Sequence, residues 1–145
     1  MIAVVQRVKQ TSLSVDGKLI SSIEGGLTVF LGIRQGDTEA QADKLAKKIA
    51  GLRIFEDDFG KMNLSVKDVG GEILLVSQFT LCGDCTRGNR PDFSSAEKPE
   101  RANELYEYCA RKLRDYEITV RQGVFGADMK ISQYNDGPVS VILEF

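Results

Sequence analysis

The sequence predicts an α/β fold: a single mixed, largely antiparallel sheet domain with two main helices, spanning residues 1–145. Three patterns point there. Residues 27–33 (LTVFLGI) and 73–76 (ILLV) are nearly continuous apolar runs, as expected of strands covered on both faces. Residues 38–53 and 99–114 carry apolar side chains at helical spacing. The chain begins and ends in alternating apolar and polar residues, the pattern of strands with one buried face. Strands, helix, strand, helix and strands in that order imply helices packed on a mainly antiparallel sheet.

Residues 1–9 alternate well enough for a strand, and 11–15 (TSLSV) lead into Asp16-Gly17. That dipeptide is a hairpin signal, because both turn positions need positive φ. Residues 18–24 return toward Gly25-Gly26, and 27–33 form the next strand. In the helix over 38–53, Thr38 and Gln41 make a capping box, and Ala42, Leu45, Ala46 and Ile49 share the inner face. Residues 56–71 (EDDFGKMNLSVKDVGG) are polar and glycine-containing, a hairpin excursion, and 72–81 (EILLVSQFTL) follow as a central buried strand. Residues 82–95 are a loop rich in Gly, Asp, Arg and Ser. The second helix runs from Pro99, suited to a first turn, to Arg114, with Ala102, Leu105, Tyr106, Cys109 and Leu113 inward. The remainder, 117–145, returns to strands, and Val139, Val141, Leu143 and Phe145 give the last one a well-buried face.

Bulk properties narrow the function classes. No apolar stretch approaches the ~20 residues needed to span a bilayer. Gln6, Arg7 and Lys9 interrupt the opening segment before a signal-like run develops, so a cytoplasmic protein with no membrane partner is expected. A net charge of −2 argues against a broad grip on many phosphates and leaves room for a local RNA contact, such as a strand end. Arg87, Arg90, Lys98 and Arg101 gather in mid-chain, a pattern whose commoner explanation is a solvated face. Three cysteines make no disulfide framework. Cys82 and Cys85 form a C-x-x-C, but with no second pair and no histidine a four-ligand zinc site in one chain would need carboxylates. Two loop thiols, no metal and no cofactor are the expectation, with a redox or zinc protein as a rival reading.

The absence of histidine removes Ser-His-Asp and Cys-His nucleophiles and imidazole acid–base work. There is also no phosphate loop and no dinucleotide fingerprint. An enzyme built from these residues must use carboxylates, Lys or Tyr, hydroxyls with backbone donors, or groups of the substrate. Two segments stand out. Ser77-Gln78-Phe79-Thr80-Leu81 turns a buried strand polar at its C-terminal end, where free N–H groups can hold a carbonyl oxygen; a solvated strand end is the other reading. Asn135-Asp136-Gly137-Pro138-Val139 is turn chemistry, read either as a tight turn feeding the last strand or as a functional element.

Together these segments resemble the D-aminoacyl-tRNA deacylase family in its bacterial form. The resemblance runs the length of the chain: MIAVVQRV, GLTVFLGI, RIF with GKMN (Arg53 to Asn63), SQFTL (77–81), RG-x-RP-x-F (Arg87 to Phe93), FGADM (Phe125 to Met129) and NDGPV (Asn135 to Val139). Asp92 stands where Ser is usual and Ser140 where Thr is usual.

The resemblance implies a homodimer with sites at the subunit interface, acting on the 3′ acceptor end of aminoacyl-tRNA. It implies that Gly137-Pro138, joined by a cis bond, enters the partner's pocket, holds the substrate's α-amino group with main-chain carbonyls and leaves no room for an L side chain. Ser77, Gln78, Phe79 and Thr80 would line that pocket, with the N–H groups of Phe79 and Thr80 on the scissile carbonyl oxygen. Phe125 and Met129 match residues near the terminal adenosine. An aminoacyl ester is already activated, so positioning and oxyanion stabilisation can suffice; the nucleophilic step falls either to the ribose 2′-hydroxyl, which we favour, or to Thr80. A wall that excludes by handedness cannot exclude glycine, so glycyl-tRNA is expected as a substrate beside D-aminoacyl-tRNA. A non-catalytic binder of the RNA end is the alternative.

Overall fold

The computed structural model describes residues 1–145. The first strand, β1 (Ile2–Val15), runs unbroken through both segments read as separate strands in the sequence. It stays continuous because one long partner, β8 (Met129–Glu144), pairs antiparallel along its whole length. On its other side β1 pairs antiparallel first with β3 (Gly26–Gly32) and then with β2 (Lys18–Ile23). The turn between β1 and β2 has positive φ at both Asp16 and Gly17, as their sequence requires.

From β3 the sheet continues with β6 (Glu72–Ser77) and β7 (Val120–Gln122), both pairings parallel, in the order β2-β1-β3-β6-β7. Three pairings are therefore antiparallel and two parallel in the main sheet, the mixed and largely antiparallel arrangement expected. The polar excursion is the hairpin of β4 (Phe55–Glu56) and β5 (Met62–Leu64).

Helix α1 (Glu39–Ala50) is shorter than the 38–53 expected. Thr38 is its N-cap, with its N–H donating to Gln41 Oε1 at 3.0 Å. Gly51 ends it, a residue that weakens helix and here donates its N–H to Lys47 O at 3.1 Å. Helix α2 (Pro99–Arg114) has Pro99 in its first turn, where a missing N–H costs nothing. Both helices bury their apolar stripes against one face of the sheet. Leu45, Ile49, Leu105 and Leu113 meet Val5, Val29 and Leu75 there, all fully buried.

The opposite face is less covered. Val8, Leu13, Ile23, Leu74 and Val76 form a second, smaller cluster, while Val4 and Phe30 are half-buried and Ile142 is 65% exposed. Strand β8 contains no fully buried residue, which corrects the expectation of a well-buried last face. Val139, Val141 and Leu143 do pack against the main core, but they lie at the sheet's edge with a neighbour on one side only.

Candidate active site

Strands β3 and β6 end side by side. Leu31 pairs with Ser77, and Gln78 N–H makes the last rung by donating to Leu31 O at 2.9 Å. The next carbonyl in line, Ile33 O, already accepts Glu97 N–H at 2.9 Å. Strand β6 has nowhere to continue. Residues 72–81 therefore do not form one strand: β6 stops at Ser77 and Phe79–Cys82 wind into a 3-10 turn. The turn crosses the end of β3 at Gly32, where a Cβ would lie 3.1 Å from both Gln78 O and Leu81 Cβ. Its first internal bond is Leu81 N–H to Gln78 O at 3.3 Å, so the N–H groups of Phe79 and Thr80 precede its ladder.

Beside this turn is a cleft of about 510 Å³, a size suited to a small organic group. Leu31, Val76 and Ile131 give it an apolar floor. Ser77, Gln78 and Phe79 form one side, and Phe125 and Met129 another. Five of the residues expected at a site are thus brought together from β6, the turn, the segment after β7 and the start of β8. Phe79 is 58% exposed and sets its ring edge-on to Phe93, with centroids 5.2 Å apart. Thr80 lies next to the cleft, exposed, and its hydroxyl accepts a hydrogen bond from Gln78 Nε2.

Gly137 and Pro138 do not line the cleft. Within β8 the four residues Asp136 to Val139 stand opposite the single residue Arg7 of β1, so the segment is a broad bulge in a continuing strand. The reading as a turn feeding the last strand is corrected accordingly. Pro138 sits where no ladder bond is asked of it, and the Gly137–Pro138 peptide is cis. Gly137 has φ +119, and a Cβ there would lie 2.9 Å from Val139 Cγ2 and 3.1 Å from Arg7 Nη2. Arg7 holds the bulge from below, donating from Nε to Asp136 O at 3.2 Å and from Nη1 to Ile54 O at 2.6 Å.

Sequence reasoning missed Arg7, whose only signal was a charged residue two positions after Val5 in the alternation Ala3, Val5, Arg7 of β1. It also missed two carboxylates in the cleft, Glu97 and Asp128. Both are engaged: Glu97 Oε1 accepts Lys98 N–H at 2.8 Å, and Asp128 pairs with Lys130 at 3.0 Å. Tyr106, whose ring lies 6.0 Å from that of Phe125, donates its hydroxyl to Leu75 O at 2.8 Å. Burial pushes that hydroxyl up to about 12, so it stays protonated at neutral pH. Cys82 is buried with its thiol against Ile33 O at 3.6 Å and its pKa raised by burial, while Cys85 is exposed. A buried thiol of raised pKa is a poor nucleophile. Beside the cleft's apolar floor, the strand end leaves the main-chain N–H groups of Phe79 and Thr80 without a backbone acceptor.

A family model described as D-Tyr-tRNA(Tyr) deacylase matches residues 4–144. The chain belongs to that family. Relatives agree along its length. It is 56% identical to a D-aminoacyl-tRNA deacylase of Geotalea daltonii over 144 residues, covering 99% of this chain and 96% of that protein. It is 52% identical to a D-aminoacyl-tRNA deacylase of Desulfitobacterium hafniense, covering 99% and 97%. Among solved structures, one described as c-Myc DNA Unwinding Element Binding Protein superposes with a TM-score of 0.94 at 44% identity, covering 100% of this chain and 99% of the other. A probable eukaryotic D-amino acid tRNA deacylase shares the fold, with a TM-score of 0.83 at 16% identity over 98% of this chain. The family's fold is thus the one described here.

Proposed function

We propose that this protein hydrolyses the ester bond of D-aminoacyl-tRNA, releasing the D-amino acid and free tRNA while sparing L-aminoacyl-tRNA. The observation that carries the reading is the meeting of Ser77, Gln78, Phe79, Phe125 and Met129 around one cleft in a chain of this family. The terminal adenosine and its aminoacyl group occupy the cleft. The N–H groups of Phe79 and Thr80 bond the ester carbonyl oxygen as it gains negative charge, which lowers the barrier most where charge develops. The carbonyl carbon is attacked with the help of the adjacent ribose 2′-hydroxyl; water supplies the new hydroxyl of the acid and the ribose oxygen leaves with a proton.

Handedness is read by a second copy of the chain. In a homodimer, the exposed bulge at Gly137 and Pro138 enters the partner's cleft and its carbonyls hold the α-amino group. Support for the pairing is the open sheet face of Val4, Phe30 and Ile142, together with Gln133, whose buried Oε1 has no partner within the chain. An L side chain meets the wall and glycine does not, so glycyl-tRNA is also cleaved. No helix is long and apolar enough to cross a membrane, and the place of action is the cytoplasm, where tRNA is charged.

The test is the lifetime of D-tyrosyl-tRNA, L-tyrosyl-tRNA and glycyl-tRNA with the pure protein. Rapid loss of the first and third, with the second unchanged, is expected. Rapid release of L-tyrosine overturns the chirality reading, and no acceleration of any ester leaves a binder of the RNA end in its place. The solved neighbour named for a DNA element suggests a nucleic-acid binder of another kind, but a net charge of −2 does not favour a wide duplex grip.

A further inference from the structure

We infer that the loop between Gly83 and Lys98 is an arm that grips RNA phosphates over the mouth of the cleft, through the guanidiniums of Arg87 and Arg90. The inference rests on the proposed action on aminoacyl-tRNA and extends it to residues outside the cleft. The returning part of the loop is one wall of the site, with Ala96, Glu97 and Pro99 lining it. Phe93 anchors the loop edge-on to Phe79, packed where Gly83 has no side chain; a Cβ there would lie 2.8 Å from the Phe93 ring. Above this anchor the loop closes on itself, Asp84 N–H donating to Asp92 O at 2.8 Å and Asp92 N–H to Asp84 O at 2.9 Å. Residues 85–91 are thereby a small closed turn, fixed at its base to the cleft rim.

The charges of this turn are arranged unequally. Its carboxylates face their own backbone: Asp84 accepts Thr86 N–H and Asp92 accepts Ser94 N–H, each at 2.8 Å. Arg87 and Arg90 are exposed and have neither a carboxylate partner nor a side-chain hydrogen bond. Lys98, between the cleft-lining Glu97 and Pro99, is exposed and likewise without an ion pair. Arg101, the next arginine along, is by contrast paired with Glu104 at 2.8 Å.

A reactive ester sits at the extreme end of its RNA, so the phosphates of the last nucleotides must cross the cleft's mouth when the ester is inside. Two free guanidiniums on one closed turn match them, since the planar fork of arginine suits phosphate oxygens. With a net charge of −2, the protein as a whole does not attract RNA, and the grip must be local. The solvated face expected from sequence becomes, in this arrangement, a site for two phosphates.

The experiment is fluorescence anisotropy of a labelled RNA minihelix ending in single-stranded CCA, titrated at several salt concentrations. Wild type is compared with Arg87→Ala/Arg90→Ala, with Arg87→Lys/Arg90→Lys, and with Lys47→Ala/Lys48→Ala on the exposed side of α1. The arginine-to-alanine variant is expected to lose affinity about tenfold, and its salt slope to flatten by about 1.4, at roughly 0.7 per single-strand phosphate. The lysine variant should recover most of the affinity, and the α1 variant should stay within about twofold of wild type. An unchanged affinity and slope in the alanine variant overturns the inference, as does an equal loss in the α1 variant. The D-tyrosyl ester of adenosine, which has no phosphate, must be hydrolysed by the alanine variant as by wild type; a matching loss there shows that the turn merely shapes the cleft and also overturns it. Binding needs no catalysis, so a wild type that shows the expected slope but cleaves no ester refutes the proposed function and leaves this inference standing.

Discussion

Arg7 and Asp136 are joined twice, Nε of the arginine lying 3.2 Å from the main-chain carbonyl and 3.3 Å from the carboxylate of the aspartate. Arg7 is 5% exposed, and its remaining reach is spent on Ile54 O, so one buried guanidinium ties the β8 bulge to the end of the α1–β4 connection. Arg7→Ala leaves two main-chain acceptors without their donor. The expected cost is about 2–3 kcal/mol, toward the lower end for a broken buried pair because the Asp136 side chain is one-third exposed. Urea unfolding of Arg7→Ala and Arg7→Lys measures it. If the bulge sorts substrates, both variants should also release L-tyrosine from tRNA faster than wild type does.

Gly137→Ala tests the same bulge from the other side. At φ +119 an L residue is strained, and its Cβ would press on Val139 and on the Arg7 fork. Strain of this kind costs about 1–3 kcal/mol. The variant should remain folded by circular dichroism with a lowered Tm, and should deacylate D-tyrosyl-tRNA at least ~10-fold more slowly, since a misplacement of about 1 Å at a site is worth up to ~100-fold. Wild-type rates in a destabilised Gly137→Ala would remove this segment from the site.

Most repeating features of the fold were legible in the sequence, though the alternation of the last strand overstated its burial, and the irregular features were not legible. The stripes of α1 and α2, the Asp16-Gly17 turn and the buried run Ile73–Val76 follow from periodicity and turn chemistry, which act locally. The end of β6 at Ser77 does not, because it depends on Glu97 taking the carbonyl of Ile33, two residues far apart in the chain. The bulge at Asp136–Val139 escaped for the same reason: Asn-Asp-Gly signals a change of direction, but only Arg7 and the long pairing with β1 decide that the strand resumes. Of the site, Ser77 to Phe79 could be picked out by the switch from apolar to polar along one strand. Phe125 and Met129 came only from the family resemblance, and Glu97 and Asp128 carried no signal beyond ordinary surface charge.

The C-x-x-C should prove dispensable. Cys82 is buried against Ile33 O with a raised pKa, Cys85 is exposed on the loop, and neither lines the cleft. Cys82→Ser with Cys85→Ser is expected to keep kcat/KM on D-tyrosyl-tRNA within about threefold, with a Tm loss traceable to the hydroxyl placed at the buried position. A hundredfold loss of kcat with an unchanged Tm would assign these thiols a role in the chemistry.

Alkaline pH should destabilise the fold through two groups on α2. Burial first raises Cys109 from its ordinary 9.0 to about 12, and Tyr106 from 10.0 to about 12. For acids held neutral in the native state, stability is complete below the unfolded pKa and is lost as pH rises toward the folded one. The Tm should therefore be flat near neutrality and fall progressively from about pH 9 to 12. Tyr106→Phe should cost only about 1 kcal/mol at pH 7, because Leu75 O keeps the Gly123 N–H at 3.0 Å, and its deficit should shrink above pH 10. A deficit that grows with pH would show that the hydroxyl is ionised in the native state.

Thr80 decides where the chemistry resides. Its hydroxyl accepts from the amide nitrogen of Gln78, a group that cannot take a proton, and neither Glu97 nor Asp128 hydrogen-bonds to it. A hydroxyl without a base is a weak nucleophile at neutral pH. Its main-chain N–H, by contrast, is left free by the end of β6 and survives any side-chain change. Thr80→Val should thus keep deacylation within about tenfold of wild type, in line with loss of one hydrogen bond near the site. A substrate ending in 2′-deoxyadenosine should react at least ~100-fold more slowly with wild type, as expected when a positioned intramolecular group is removed. Single-turnover rates on both substrates separate the two roles. Complete inactivity of Thr80→Val with full reactivity of the deoxy substrate would make the threonine the nucleophile and send the search for its base back to the cleft.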